Sequence, residues 1–208
     1  MAISETSICN MALARIGANR ITSLTDGSPQ SIICTLHYEQ TRDALLRSHC
    51  WRFARARQTL SQNVSDPEFE WTYQYDLPND FLAMISVYTD SDQPDKSTVD
   101  SYALEGKMLM TEDSTCEIRY IKQVKDPTQF DPLFVEVLVL QLAMKFVVAL
   151  AQDSNARQDI GQELLILMRK VRAMDRQETN TIGRSDRPTW IDSRLTNDGR
   201  IPTKLGGA

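Results

Sequence analysis

Glycine is scarce in this chain, and the loops that depend on it are missing from the sequence. Only eight of the 208 residues are glycine, and four of these lie from Gly183 onward. Neither GxGxxG nor GxxxxGK(S/T) occurs, and the hydrolase motifs GxSxG and HExxH are missing as well. These absences argue against a phosphate-cradling loop and against several common families of hydrolases.

Histidine and cysteine are also few, which limits metal binding and nucleophilic catalysis. Cys34-x-x-His37 and His49-Cys50 offer four zinc ligands or a Cys–His nucleophile, but there is no CxxC pair and no sign of an oxyanion hole. We therefore interpret Cys34 and His37 as ordinary residues of an amphipathic helix. We predict no catalytic residue, no metal and no cofactor, and hence that the chain is not an enzyme.

The start of the sequence lacks a charged segment followed by a long apolar run, so no signal peptide is predicted. Without an export signal, the cysteines of a chain this size are expected to be reduced thiols in a cytosol. There are four of them: Cys9, Cys34, Cys50 and Cys116.

The chain has no basic excess of the kind that a general nucleic-acid clamp needs. Its formal net charge is −5, with ordinary globular contents of 41% hydrophobic and 25% charged residues. Residues 179–208 hold five Arg or Lys and three Asp, a net of +2, so the other 178 residues carry −7. An acidic body with a basic tail indicates that the tail has a partner of its own.

Two helices are predicted in the first 50 residues. Ser4 caps the first, and Gly17 lies where a left-handed residue ends a helix, after apolar residues at helical spacing: Cys9, Ala12, Leu13 and Ile16. Ser28-Pro29 begins a second helix that is expected to reach about His49. A solvated or interface face of this helix is predicted to carry the charges Glu39, Arg42, Asp43 and Arg47.

From Trp51 the hydrophobic period changes to two, which predicts a β-rich insertion of roughly five strands over 51–124. The segments are "WRFARARQTL", "WTYQYDLP", "FLAMISVYT", "SYALEGKMLM" and "CEIRYIKQV". Glu105-Gly106 is typical of a hairpin turn. Cys116, Ile118 and Tyr120 are predicted to share one face of a strand.

Two long helices are predicted after the insertion. Asp131-Pro132 repeats the cap-then-proline start, and the following run "LFVEVLVLQLAMKFVVALA" is long enough for a membrane span. Because two full charges lie inside that run, we favour a buried bundle helix. Ser154 begins the last helix, whose predicted packing seam steps by four and three: Ile160, Leu164, Leu167, Val171 and Met174.

Two further segments have a possible function and a simpler interpretation. "TDSDQPD", with Asp90, Asp92 and Asp95, resembles part of a calcium loop but lacks its glycine and closing glutamate, so we favour a solvated loop. "WRFARAR" alternates aromatic residues with arginine, as a nucleic-acid stacking platform does. We favour a strand with Trp51 and Phe53 packed inward and Arg52 or Arg55 turned outward.

After Glu178 no helical or strand period persists, and the composition alone is that of a disordered tail. The tail nevertheless spaces out apolar anchors among basic residues, which a purely solvating tail does not need. We expect it to bind a partner through Trp190 and Ile191, guided by charge. The full set of candidate binding residues is Arg184, Arg187, Trp190, Ile191, Arg194, Leu195, Ile201 and Leu205.

Several stretches together resemble the head-to-tail adaptor proteins of tailed bacteriophages, of the tail-tubular or gatekeeper type. They are Asn10 to Ile16 with Gly17, "ITSLTDGS" at 21–28, Cys34, Tyr38, "RDALLRSH" at 42–49, "WRFA" at 51–54, "YDLPNDFLAMISV" at 75–87 and "IRYIKQVKDPTQFDPLFVEVLVLQLA" at 118–143. The likeness covers about residues 4–175. The sequence departs from the family pattern at Cys50 and Arg52, where proline and asparagine are expected.

The resemblance implies a mainly α fold with a β insertion (α+β): a four-helix bundle formed by residues 1–50 and 125–178, interrupted by the β-rich insertion 51–124. It implies a homo-oligomeric ring of about twelve copies under the portal protein of the virion, after synthesis in the bacterial cytoplasm. The ring would extend the DNA channel without sequence-specific DNA binding or membrane contact, and would dock the next tail component (a nozzle or stopper). Residues 179–208 would be an extended portal-binding tail.

The alternatives left open are another phage connector (a stopper or tail-completion protein), a Cys/His metal-dependent enzyme, and a DNA-binding regulator that uses Trp51 to Arg57.

Overall fold

The computed structural model describes residues 3–88, 102–151 and 154–179, and its fold is mixed helix and strand, of the α+β class. The chain divides into two compact units, Met1–Leu167 and Met168–Ala208. All the strands described here belong to the first unit. The described part of the second unit is the C-terminal part of one helix, residues 168–179.

The first two helices begin where the sequence predicts. Helix α1 spans Glu5–Arg15, and its cap Ser4 exchanges hydrogen bonds with Ser7 in a capping box; Gly17 then adopts a φ of 68°. Helix α2 spans Pro29–Ser48, with Ser28 as its cap and proline at its first position. Both predicted starts are confirmed, and α2 ends one residue before His49.

The other two helices also begin where the sequence predicts. Helix α3 spans Pro132–Phe146, capped by Asp131, and continues into a π-helical turn, Val147–Ala151. Helix α4 spans Ser154–Thr179. In its predicted seam, Ile160 and Val171 are buried, Leu164 and Leu167 are half-buried and Met174 is exposed.

Helices α1, α2 and α3 pack on one another, and α3 contributes most of the shared core. Residues Pro132–Leu150 have a mean hydropathy of 2.2, high enough for a membrane span by length and composition, yet 56% of that segment is buried within the protein. The buried residues of α3 are Phe134, Val135, Val137, Leu138, Val139, Leu140, Leu142, Ala143 and Phe146. The predicted burial of this helix is therefore confirmed.

Six strands, rather than roughly five, are present in the described residues. They are β1 (Arg55–Thr59), β2 (Tyr73–Asp76), β3 (Phe81–Tyr88), β4 (Ala103–Glu105), β5 (Met108–Thr111) and β6 (Glu117–Lys122). The prediction undercounts because "YALEGKMLM" forms two strands. Its hairpin is confirmed, with Gly106 at a φ of 60° and Glu105 paired with Met108.

The strands form two antiparallel three-stranded sheets, in the orders β1-β6-β3 and β2-β5-β4. The sheets share one hydrophobic cluster, which takes Tyr75 and Leu109 from the second sheet and Val87 from the first. Cys116, Ile118 and Tyr120 belong to the same cluster, so the prediction that they share one face is confirmed. Because this core uses one face of the β1-β6-β3 sheet, the other face is left for different contacts.

Candidate functional site

The residues predicted to bind a partner lie outside the described part of the chain. This holds for the whole tail set from Arg184 to Leu205, and also for Asp90, Asp92 and Asp95 of the segment "TDSDQPD". The residues that carry the resemblance, by contrast, are largely described. Their contacts show whether they are reactive groups or parts of a scaffold.

Trp51 forms the corner between α2 and the first strand. Its side chain is only 5% exposed, and its indole N–H donates to the Leu45 carbonyl oxygen at 3.0 Å. The indole ring of Trp51 meets the Phe134 ring of α3 edge to face, with 5.0 Å between the ring centroids. The Phe53 ring also meets the Phe134 ring edge to face, at a centroid distance of 5.1 Å. A 3-10 turn, Arg52–Ala54, then leads into β1.

These contacts decide between the two interpretations of "WRFARAR". Trp51 and Phe53 pack inward as predicted, but they precede the strand, which begins only at Arg55. Arg52 is exposed and Arg55 is half-buried. Because the indole of Trp51 is enclosed by protein, it offers no face on which a base can stack.

Arg42 was predicted on a solvated or interface face of α2, and that prediction is wrong. Its side chain is 2% exposed, and its Nε donates to Asp43 Oδ1 at 2.8 Å. The side-chain amide of Gln123, just after β6, donates to the other Asp43 oxygen at 2.7 Å. The helical spacing of charges does not reveal these contacts, because Gln123, which bonds Asp43, is 80 residues away from it along the chain. Glu39 and Arg47 are exposed as predicted.

Asn10 fixes the segment that follows α1. Its side-chain oxygen accepts a hydrogen bond from the Ile21 N–H at 2.8 Å, and its amide donates to the Ile21 carbonyl oxygen at 2.9 Å. Both polar groups of the Ile21 backbone are therefore satisfied, although Ile21 itself is buried. The asparagine in "NMALARIG" is thus a structural clamp.

Asp26 organises the loop "ITSLTDGS" before α2. Its carboxylate accepts hydrogen bonds from the hydroxyl and backbone N–H of Ser28 and from the same two groups of Thr22. These bonds, chiefly those from Ser28, hold the pKa of the Asp26 carboxyl well below its ordinary value of 3.8. Because Ser28 caps α2, Asp26 also fixes the start of that helix.

Replacing Asp26 with asparagine is therefore expected to lower stability, and to lower it less in acid. A carboxyl whose pKa is depressed in the folded state stabilises the fold above its ordinary pKa, and that contribution is lost as the pH falls below about 4 toward the folded-state value. Urea unfolding at neutral pH and near pH 3 measures the effect, and the gap between wild type and Asp26→Asn is expected to narrow in acid. The matched control is Asp66→Asn, an exposed aspartate without a hydrogen bond to the described residues. A gap that stays constant with pH contradicts this role of Asp26.

The Cys and His residues do not come together as a site. Cys34 of α2 and Cys9 of α1 are both fully buried. The interaction of Cys9 with the Cys34 thiol, together with burial, raises the pKa of the Cys9 thiol. His49 lies edge-on to Trp51 at a centroid distance of 5.0 Å, while His37 lies 6.5 Å from Phe146. Among the residues that the structure describes, no group of three or more Cys, His, Asp or Glu could hold a metal ion.

Comparison of the sequence with protein-family models and with curated proteins finds no match. The roles of the residues described above therefore carry the functional interpretation. They fix a helix-to-sheet corner, a clamped loop and a helix cap.

Proposed function

We propose that this protein is a structural head-to-tail adaptor of a tailed bacteriophage. In this proposal about twelve copies form a ring under the portal protein at the head–tail junction of the virion. The ring extends the DNA channel, lets genomic DNA pass without sequence-specific binding, and docks the next tail component. The protein is not an enzyme, uses no cofactor and contacts no membrane.

The observation that carries the proposal is the structural use of the residues that resemble the adaptor family. Asn10 clamps Ile21, Asp26 fixes the start of α2, and Trp51 fixes the corner between α2 and β1. A group of residues that served catalysis would place reactive atoms in a cleft. Here the same residues hold helices and strands in fixed positions, as a component of a rigid ring requires.

A four-helix bundle formed by α1, α2, α3 and α4 belongs to the same proposal. Helices α1, α2 and α3 pack together, which supports three of the four members. An ion pair between Arg15 of α1 and Glu163 of α4, 3.1 Å long and half exposed, supports the fourth. Exposed pairs of this kind contribute little stability, so the pair indicates proximity and not the strength of packing.

The tail, residues 179–208, binds the portal in this proposal. Trp190 and Ile191 are the principal anchors, because large apolar side chains dominate binding energy, and Arg184, Arg187 and Arg194 guide the encounter. A segment that orders on binding loses affinity to its ordering cost. About twelve simultaneous attachments in one ring restore that affinity through effective concentration.

The test is co-sedimentation of the purified chain with its portal protein, compared with binding to duplex DNA over a range of salt concentrations. An adaptor binds the portal, whereas a DNA-binding regulator binds duplex with an affinity that falls steeply as salt rises. Binding to duplex without binding to the portal contradicts the proposal. Another connector, such as a stopper or tail-completion protein, would form a ring of a different copy number.

A further inference from the structure

The face of the β1-β6-β3 sheet that turns away from the hydrophobic cluster carries a groove, which we call the arginine groove. It has a volume of about 430 Å³ and is lined on this face by Arg57 and Thr59 of β1, Glu117 and Arg119 of β6, and Tyr88 of β3. That volume is within the range of about 300–1,000 Å³ found for small binding pockets. The groove lies at the end of β1 that is farther from the corner at Trp51.

Two like charges lie opposite each other in this groove. The strand register pairs Arg57 directly with Arg119, an arrangement that destabilises a sheet unless an anion neutralises it. Within the described residues, neither guanidinium has a carboxylate within 4.0 Å. The guanidinium of Arg119 instead lies over the Tyr88 ring, 5.3 Å from its centroid.

Two buried polar atoms lie on the same face, Nε of Arg119 and Oγ of Ser86. Neither makes a hydrogen bond with the part of the chain that the structure describes. Ser86 is paired with Arg119 in the strand register and is only 8% exposed, so its hydroxyl lies on the face that carries the groove. Buried polar groups are ordinarily satisfied, and within the described residues neither of these two groups finds a partner.

The complementary feature is the loop between β1 and β2, residues 61–71, which we call the acidic loop. It holds three exposed carboxylates, Asp66, Glu68 and Glu70, and no basic residue. Phe69 stands between two of them and is 73% exposed. None of the three carboxylates forms an ion pair within the described residues.

We propose that the arginine groove of one copy binds the acidic loop of a second copy. Arg57 and Arg119 would take carboxylates of the loop, since a guanidinium binds a carboxylate through two parallel hydrogen bonds, and Phe69 would lie against Tyr88. The inference rests on the proposed adaptor function, because it names the contact between neighbouring subunits. A contact between two different surfaces of one chain is heterologous, and such contacts form a ring when the rotation from copy to copy closes.

The charges favour a second copy over a nucleic acid as the occupant. The groove combines two arginines with Glu117, whereas the loop carries three carboxylates, so the two surfaces attract each other. Glu117 opposes the carboxylates of the loop and the phosphates of a nucleic acid alike, but a long polyanion would in addition be repelled by the acidic body of the chain. Within one copy the loop and the two arginines form no ion pair, although β1 leads directly from one to the other.

The experiment is a charge swap, measured by sedimentation velocity of the full chain from micromolar to millimolar concentration. A groove variant carries Arg57→Glu and Arg119→Glu, and a loop variant carries Asp66→Arg and Glu68→Arg. The self-association affinity of each variant is expected to be lower than that of the wild type by about tenfold or more. An equimolar mixture of the two variants, and a chain that combines all four substitutions, are expected to regain association.

A matched control carries Arg20→Glu and Arg47→Glu, which change the net charge equally at two exposed positions outside the groove. It is expected to associate like wild type. Since Arg119 is half-buried, Arg57→Glu alone serves as a second groove variant at an exposed position, with circular dichroism to confirm folding.

Three results overturn the inference: groove and loop variants that associate like wild type, a mixture that fails to regain association, or a wild-type chain that stays monomeric throughout. A chain that stays monomeric alone but binds the portal overturns only this contact and leaves the adaptor proposal standing. A chain that self-associates through the arginine groove and the acidic loop but does not bind the portal supports this contact and overturns the adaptor proposal.

Discussion

Replacing Trp51 with alanine is expected to lower the free energy of unfolding by about 3–5 kcal/mol, the usual cost of removing a large buried aromatic side chain. The substitution removes the edge-to-face contact with Phe134 and empties the space between α2 and α3. It also leaves the Leu45 carbonyl oxygen without the indole N–H that it accepts at 3.0 Å. The effect is large because all of these losses occur at the corner that joins the helices to the sheets.

Urea unfolding measures this loss of unfolding free energy. It is followed by far-ultraviolet circular dichroism, which reports on the backbone and does not rely on tryptophan fluorescence. Trp71→Ala is the matched control, because Trp71 is half-buried in the acidic loop and makes no ring contact with the described aromatic residues. Its loss is expected to be clearly smaller. Equal losses for the two variants would show that the corner at Trp51 does not hold the fold together.

Deleting residues 180–208 is expected to abolish binding to the portal and to leave the rest of the chain folded. The deletion begins after α4 ends at Thr179, so it removes none of the described helices or strands. Without its anchors each copy loses its attachment, and the advantage of many attachments in a ring is lost with it. Thermal unfolding of the truncated chain tests the fold, and co-sedimentation with portal-containing heads tests the binding.

A pair of full-length variants separates the anchors from the mere length of the tail. Trp190→Ala with Ile191→Ala removes the two principal anchors, whereas Thr196→Ala with Asn197→Ala changes two polar neighbours. The first is expected to weaken portal binding by about 2 kcal/mol or more per site, as the loss of a hot-spot residue does, and the second to leave it nearly unchanged. If the truncated chain still joins the heads, the portal is bound elsewhere on the protein.

Local signals in the sequence predict the helices and most strands of this fold. Ser4, Ser28 and Asp131 each cap the helix that the sequence assigns to them, because a cap depends only on residues within one turn. The alternation of Cys116, Ile118 and Tyr120 likewise predicts the buried face of β6. In each case the information lies within a few residues of the feature.

Features that depend on residues far apart along the chain cannot be predicted from local sequence patterns. Arg42 is buried near Glu5 of α1, whose carboxylate lies 3.9 Å away, and its partner Asp43 also accepts a hydrogen bond from Gln123. The arginine groove requires a strand register that pairs Arg57 with Arg119, 62 residues further along the chain. Neither pairing is encoded in a local period, so both emerge only when the strands and helices are assembled.

The most direct test of the adaptor function is the mass of the purified chain, alone and after mixing with its portal protein, by native mass spectrometry. The account predicts that the mixture yields one portal-bound ring of about twelve copies, with a mass set by the 23.6 kDa chain. A chain whose mass is the same with and without the portal would contradict the account and favour a DNA-binding or enzymatic function.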